Sequence, residues 1–334
     1  MTATPPQQSA GFNIPTIDIA PYLHDPSSAA AAQIVSDVRD ACMTVGFFSL
    51  VGHGIPRAVQ DDLFQGAKKL FGLPLHEKLA LKHPILKNRG YELIGSQSLQ
   101  EDTLPDLKEG FYVGKHMPAD SEQARKHPEL LGENVFPPSL SPAEFQQPSE
   151  AYYNAVLGVA LTVLEILAKG LPYGDDILDD FMSNNPVCVI RLLHYPPQQS
   201  QDAKQLGAGA HTDFGAITLL LQDTAGGLQV LDASTGTWHS VAPNPDAYVV
   251  NIGDMLSLWT RNIYKSATHR VINTSGRDRY SVPFFFDGNA DIELRPFDGS
   301  GAGAGTGEGN RAITVEEHML ERLGTSYARV EKAQ

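Results

Sequence analysis

His211-Thr212-Asp213 opens a stretch that runs through Thr268-His269-Arg270-Val271 and closes on Arg279-Tyr280-Ser281. Around these residues lie short β-rich runs at 217–221, 227–231, 248–252 and 281–286. From Asn185 onward the hydrophobic period is two, and Gly, Pro and Asp break it repeatedly. That punctuation predicts a succession of short strands, the pattern of a sandwich, jelly roll or barrel.

Residues i and i+2 of a strand share a face, so His211 and Asp213 can converge on one ion. With His269 they make a 2-His-1-carboxylate set, the facial triad of non-haem Fe(II) oxygenases, which leaves coordination positions open. His-x-Asp alone carries little weight, because a hydrogen-bonded surface pair has the same spelling. The weight comes from Arg279, ten residues beyond His269, at the head of an apolar strand whose same face carries Ser281. A guanidinium inside an apolar barrel requires an anion. Its planar fork suits a carboxylate, and a serine hydroxyl can add a further hydrogen bond. An internal ion pair with Asp or Glu is the other reading of Arg279. Other polar residues read as structural. His194 points away from Tyr195, His53 and His239 sit in turns, and Asp223, Asp232 and Asp254 are turn residues.

Working outward, residues 1–13 read as a disordered tail, and 14–19 as a first short strand. Ser27 or Ser28 caps a helix to about Val45 along the stripe Ile34, Val38, Ala41 and Cys42, and Gly46 stops it. A strand at 47–51 and a helix opened by Pro56 follow. Residues 73–145 are irregular and rich in Pro and Gly, and are read as segments that cover a pocket. These pieces make up an N-terminal region, 14–145. A long helix at 146–172 backs the core, which spans 185–298. The half-glycine segment 299–310 is a flexible loop. Thr314 and Glu317 form a capping box for a C-terminal helix within 311–334.

The 334 residues and a hydrophobic fraction of 42% allow one large core. A net charge of −14 disfavours nucleic acid and anionic membranes as partners. No basic, apolar leader is visible, and Cys42 and Cys188 read as buried thiols of a reducing cytoplasm.

The chain resembles the Fe(II)/2-oxoglutarate-dependent dioxygenases of the isopenicillin N synthase and flavonoid oxygenase type. His211-x-Asp213, His269 and Arg279-x-Ser281 stand in family order, supported by Val250-Asn251-x-Gly253-Asp254 and 226–230. Gly46-Phe47-Phe48, 52–55 and Asn88-Arg89-Gly90-Tyr91 resemble that family's N-terminal domain. The resemblance implies a mixed α and β fold: a double-stranded β-helix (jelly-roll) core flanked by helices, with an N-terminal α/β region. It implies that His211, Asp213 and His269 bind Fe(II), and that Arg279 and Ser281 hold the distal carboxylate of 2-oxoglutarate, with Tyr195 as a further contact. Leu193 stands where plant relatives carry Asn, which removes one cosubstrate contact. Phe285, Tyr91 and Phe111 are the candidate substrate wall. The implied reaction uses O₂, releases succinate and CO₂, and hydroxylates, desaturates or cyclises a small metabolite, with ascorbate as reductant in a monomeric enzyme. A same-fold oxidase that does not use 2-oxoglutarate, a non-catalytic ligand-binding jelly roll and a zinc hydrolase are the alternatives.

Overall fold

The computed structural model describes residues 12–198, 202–299 and 312–333. The tail expected at 1–13 lies outside these residues except for Phe12 and Asn13, and the expected loop at 299–310 except for Gly299. The N-terminal elements are β1 (Thr16–Asp18), α1 (Ala20–His24), α2 (Ala29–Thr44), β2 (Phe47–Val51), α3 (Arg57–Phe71) and α4 (Leu75–Leu79). Next come β3 (Gly90–Glu92), β4 (Glu109–Gly114), α5 (Glu122–Lys126), α6 (Gln146–Lys169) and α7 (Asp179–Met182). The core strands are β5 (Val187–Tyr195), β6 (Ala208–His211), β7 (Ile217–Gln222), β8 (Leu228–Asp232), β9 (Thr237–Ser240) and β10 (Tyr248–Ile252). The chain ends with α8 (Asp254–Trp259), β11 (His269–Val271), β12 (Arg279–Gly288) and α9 (Val315–Ala333).

An eight-stranded sheet, ordered β1-β2-β10-β7-β12-β5-β4-β3, packs against a four-stranded sheet, β6-β11-β8-β9. This is the double-stranded β-helix core expected from the sequence. Strand alternation divides its interior. Ile190, Leu192, Leu219, Val282, Phe284 and Phe286 face a helix-covered core, whereas Leu193, Tyr195, Val230, Val249 and Val271 meet between the sheets.

The helices form where the sequence places caps and stripes. Ser28 accepts the Ala31 amide at 3.1 Å and starts α2. Gly46 ends the turn after it with φ +77°, and a Cβ there would come within 2.1 Å of the Lys265 carbonyl oxygen. In α6, Tyr152, Val156, Ala160, Val163 and Leu167 form a buried stripe against α2, α3 and the large sheet. Thr314 and Glu317 close the expected capping box, at 2.9 and 3.3 Å.

Residues 73–145 depart from the irregular reading. β4 lies inside the large sheet, hydrogen-bonded to β5 on one side and β3 on the other, with all six residues buried. Its start, Glu109-Gly110, is a poor strand former in isolation. Tertiary contacts override that, because the Glu109 carboxylate binds Tyr91 Oη at 2.5 Å, His194 Nδ1 at 2.7 Å and Lys78 Nζ at 2.8 Å. This register sets the direction of two candidate substrate residues. Phe111 is fully buried in the helix-covered core, edge-on to Phe145 with ring centroids 5.3 Å apart. Tyr91 pairs with Phe111 across the ladder and is spent on Glu109.

Phe111→Ala is therefore expected to cost about 3–5 kcal/mol of stability. Denaturant unfolding measures it, and a loss below about 1 kcal/mol would place Phe111 outside the packed core.

Candidate active site

β6 and β11 are antiparallel neighbours, and their register sets His269 directly opposite His211. The two imidazole centroids lie 4.3 Å apart. Asp213 follows two residues after β6 ends, and its Oδ1 is 3.7 Å from His211 Nε2 and 3.6 Å from His269 Nε2. One ligand atom from each of the three lies within 4.8 Å of the others. The remaining polar atoms are occupied. His211 Nδ1 donates to the Gly209 carbonyl at 2.7 Å and His269 Nδ1 to that of Ala267 at 3.2 Å, which leaves each Nε2 lone pair free. Asp213 Oδ2 accepts from Thr218 Oγ1 at 2.5 Å and Asn251 Nδ2 at 2.7 Å, which leaves Oδ1. Two imidazole nitrogens and one carboxylate oxygen aimed at a common point fit a divalent iron with open positions.

Burial, with His269 alongside, pushes the His211 imidazole down to about 4. Burial alone would raise Asp213, but the two imidazoles and the Thr218 and Asn251 hydrogen bonds outweigh it and hold the carboxyl below its ordinary range.

Contacts distant in sequence hold the ligand loop. The outer edge of β6 is covered by residues 100–106: Gly209 N–H donates to Asp106 Oδ1 and Ala210 N–H to Gln100 Oε1, both at 2.9 Å. Asp106 also pairs with buried Lys108. Asp254 is not the turn residue expected from sequence. It opens α8, accepts from Thr212 Oγ1 at 3.0 Å and Ser266 Oγ at 2.8 Å, and pairs with Arg322 of α9 at 2.8 Å. His239, also assigned to a turn, lies in β9 and stacks on Phe12. His53 keeps its structural role and accepts the Ile55 amide at 3.1 Å.

Arg279 opens β12, opposite Tyr195 of β5. It is only 1% exposed, yet no described carboxylate pairs with it. Its Nε donates to the Gly226 carbonyl at 2.6 Å, Nη1 to Ser281 Oγ at 3.0 Å and Nη2 to Gln222 Oε1 at 3.3 Å. The guanidinium stacks over the Tyr195 ring, 4.7 Å from its centroid. His194 points the other way, to Glu109 and Asp278, as expected.

Two lobes of one cleft meet at the triad. The first, between the sheets, is lined by Arg279, Ser281, Tyr195, Leu193, Lys108 and His269. The second, toward α9, is lined by Asn88, Tyr112, Phe214, Asp287, Met319 and Leu323. Leu99, Arg191, His211, Asp213 and Phe285 border both. Phe285 therefore sits where the sequence put it, whereas Tyr91 and Phe111 line neither lobe. Their places go to Tyr112 and Arg191, which the sequence reading missed. Arg191 could have been found, since it lies four residues before Tyr195 and so shares its strand face. Asn251 could also have been noticed, as the one amide in the apolar run 248–252. Asp287 gave a similar signal, two residues past Phe285. It is buried, and that burial, with the Asp213 charge, pushes its carboxyl up to about 8.

Residues 14–139 match the N-terminal family described as non-haem dioxygenase in morphine synthesis, and residues 186–288 match the 2OG-Fe(II) oxygenase superfamily. A 2-oxoglutarate-dependent dioxygenase of Monascus ruber, citB, is 49% identical over 97% of this chain and 98% of its own. Clavatol oxidase of Penicillium crustosum is 42% identical over 97% and 99%. Among solved structures, a full-length Neurospora crassa protein in complex with alpha-KG and thymine superimposes with a TM-score of 0.79. It is 26% identical, over 96% of this chain and 99% of that one.

Asn251→Ala removes one of two donors to Asp213 Oδ2 and should weaken Fe(II) binding about 10- to 100-fold with the fold intact; anaerobic metal titration measures it. The metal-free protein should also show two opposed pH effects. His211, neutral in the fold down to about 4 against an ordinary 6.5, withdraws stability as pH falls between those values. Asp287, protonated in the fold up to about 8 against an ordinary 3.8, withdraws stability as pH rises between them. Melting curves should therefore show His211→Gln gaining on the wild type toward pH 4 and Asp287→Asn gaining toward pH 8.

Proposed function

Because the chain belongs to the 2-oxoglutarate/Fe(II) oxygenase superfamily, we propose that His211, Asp213 and His269 hold its Fe(II) and that Arg279 and Ser281 grip the distal carboxylate of 2-oxoglutarate. It is a 2-oxoglutarate-dependent dioxygenase acting on a small molecule. The observation that carries the residue assignment is the pairing, in one cleft, of three converging ligand atoms with a buried guanidinium that has no described carboxylate partner.

The bound iron and 2-oxo acid supply the O₂-dependent oxidation, with succinate and CO₂ as coproducts. The chain's own groups supply position and exclusion of water. Of the five N–H donors of Arg279, three are spent on Gly226, Ser281 and Gln222, so two remain for a carboxylate. Ser281 accepts from Arg279 and keeps its own hydroxyl proton to donate to the same anion. Tyr195 keeps the guanidinium plane in place by stacking. Leu193, Leu220 and Leu228 line the rest of this lobe and exclude water. The second lobe takes the molecule to be oxidised. The Neurospora protein's complex contains thymine and the Penicillium enzyme is named for clavatol, and we assign this chain a small metabolite of that scale. Hydroxylation is the outcome we favour, with ascorbate as the external reductant. We further take the enzyme to be a cytosolic monomer, the cytosolic reading supported by two buried, free thiols.

His211→Ala should abolish succinate release while circular dichroism stays native. Arg279→Ala should raise the 2-oxoglutarate concentration needed by about 100-fold or more, read from titration of the anaerobic Fe(II)–2-oxoglutarate charge-transfer band. An unchanged requirement in Arg279→Ala would falsify the clamp.

A further inference from the structure

β12 carries a second buried ionisable group on the face that holds Arg279, Ser281 and Phe285. Asp287, near the far end of the strand, is 2% exposed and lines the second lobe. Its Oδ1 has no hydrogen-bond partner among the described residues. The Gly215 backbone abuts this oxygen so closely that a Cβ at Gly215 would lie 2.1 Å from it. Apart from Arg279, the other charged groups around the triad are matched among the described residues. Arg191 Nη2 is 2.6 Å from the Glu92 carboxylate, Lys108 pairs with Asp106, and Asp213 faces two imidazoles. A structural carboxylate at this depth would have a donor or a counter-ion, because leaving one without either is costly. Beyond the triad ligands, the lobe's other charged and amide side chains, Asn88, Gln97 and Arg191, are already bonded to protein partners, and the remaining lining includes Phe285, Phe214, Val189, Met319 and Leu323. A pocket of apolar walls with one uncommitted polar group is built to orient a ligand.

We propose that Asp287 anchors the substrate by accepting a hydrogen bond from an O–H or N–H group on a flat, otherwise apolar molecule, and that this lobe rejects carboxylates. The assignment rests on the oxygenase reading of the triad and deepens it by naming the substrate class. A carboxylate substrate brings no proton for Asp287 to accept and, above about pH 8 where Asp287 is ionised, sets a second anion beside it, and Arg191 cannot compensate because Glu92 already neutralises it. The flat shape is inferred from three aromatic side chains, Phe285, Phe214 and Tyr112, in the lining of this lobe, against which a ring can pack. The donor has two chemical sources, a neutral hydroxyl or amide and a protonated amine.

Four ring probes of nearly equal size separate these possibilities: benzyl alcohol, benzylamine, benzoate and toluene. Binding of each to the anaerobic Fe(II)–2-oxoglutarate protein is followed at about pH 8.5, where Asp287 is ionised, by calorimetry and by perturbation of the charge-transfer band, in wild type, Asp287→Leu and Asp287→Asn. Wild type should bind benzyl alcohol or benzylamine about tenfold or more tightly than benzoate and toluene, the range of one hydrogen bond to a charged group. Preference for the alcohol identifies a neutral donor, and preference for the amine a cation. Asp287→Leu should lose the selectivity. Asp287→Asn, close in shape and safe for folding, should keep the alcohol and lose the amine. Equal or tighter binding of benzoate, selectivity that survives in Asp287→Leu, or no response to any probe overturns the Asp287 assignment. Failure of the charge-transfer band to form in wild type overturns the site reading instead.

Discussion

Two imidazoles whose centroids lie 4.3 Å apart, with a carboxylate between them and almost no solvent, make an arrangement that folding alone would not select. Protonating both rings would bring two desolvated cations together, so the pair persists with at least one ring neutral. The backbone carbonyls of Gly209 and Ala267 fix which nitrogen carries the proton, and Thr218 with Asn251 fixes which carboxylate oxygen is free. The β6–β11 register, the loop that returns Asp213 beneath the rings and the α8–α9 contacts on Asp254 all serve that one point.

β12 joins this centre to everything the cleft recognises. Its inner face carries Arg279, Ser281, Pro283, Phe285 and Asp287 at intervals of two, among them a cation without an anion and an acid oxygen without a donor among the described residues. Its outer face, Val282, Phe284 and Phe286, is anchored in the helix-covered core. The uncommitted polar groups on the inner face each cost stability, and the packing of the outer face offsets that cost. Recognition and stability are thus divided between the two faces of one strand.

The N-terminal region takes a larger part in this centre than its irregular composition suggests. β4 supplies Tyr112 to the second lobe of the cleft, while Gln100 and Asp106 cover the outer edge of the strand that bears His211. α9 reaches the same loop from the other end of the chain, with Arg322 on Asp254 and His318 Nε2 3.0 Å from the Phe214 carbonyl. A short, exposed β6 edge would otherwise be free to slip.

The two histidines and aspartate that converge, and the buried arginine with its serine, could be picked out in the sequence, because chemistry restricts which residue types can do the tasks proposed for them. Period-two runs broken by turns made a sandwich, jelly roll or barrel legible, and the family resemblance singled out the jelly roll. The sequence did not show which face of a strand looks into the cleft. β4 is buried on both sides, so Phe111 and Tyr112 are equally apolar neighbours in the chain, and only pairing with β5 sends the first to the core and the second to the pocket. Likewise Asp254 reads as a turn until Thr212, Ser266 and Arg322 arrive from three separate segments. A residue's type is written locally, but when both faces of a strand are dry, its direction is decided by long-range register alone.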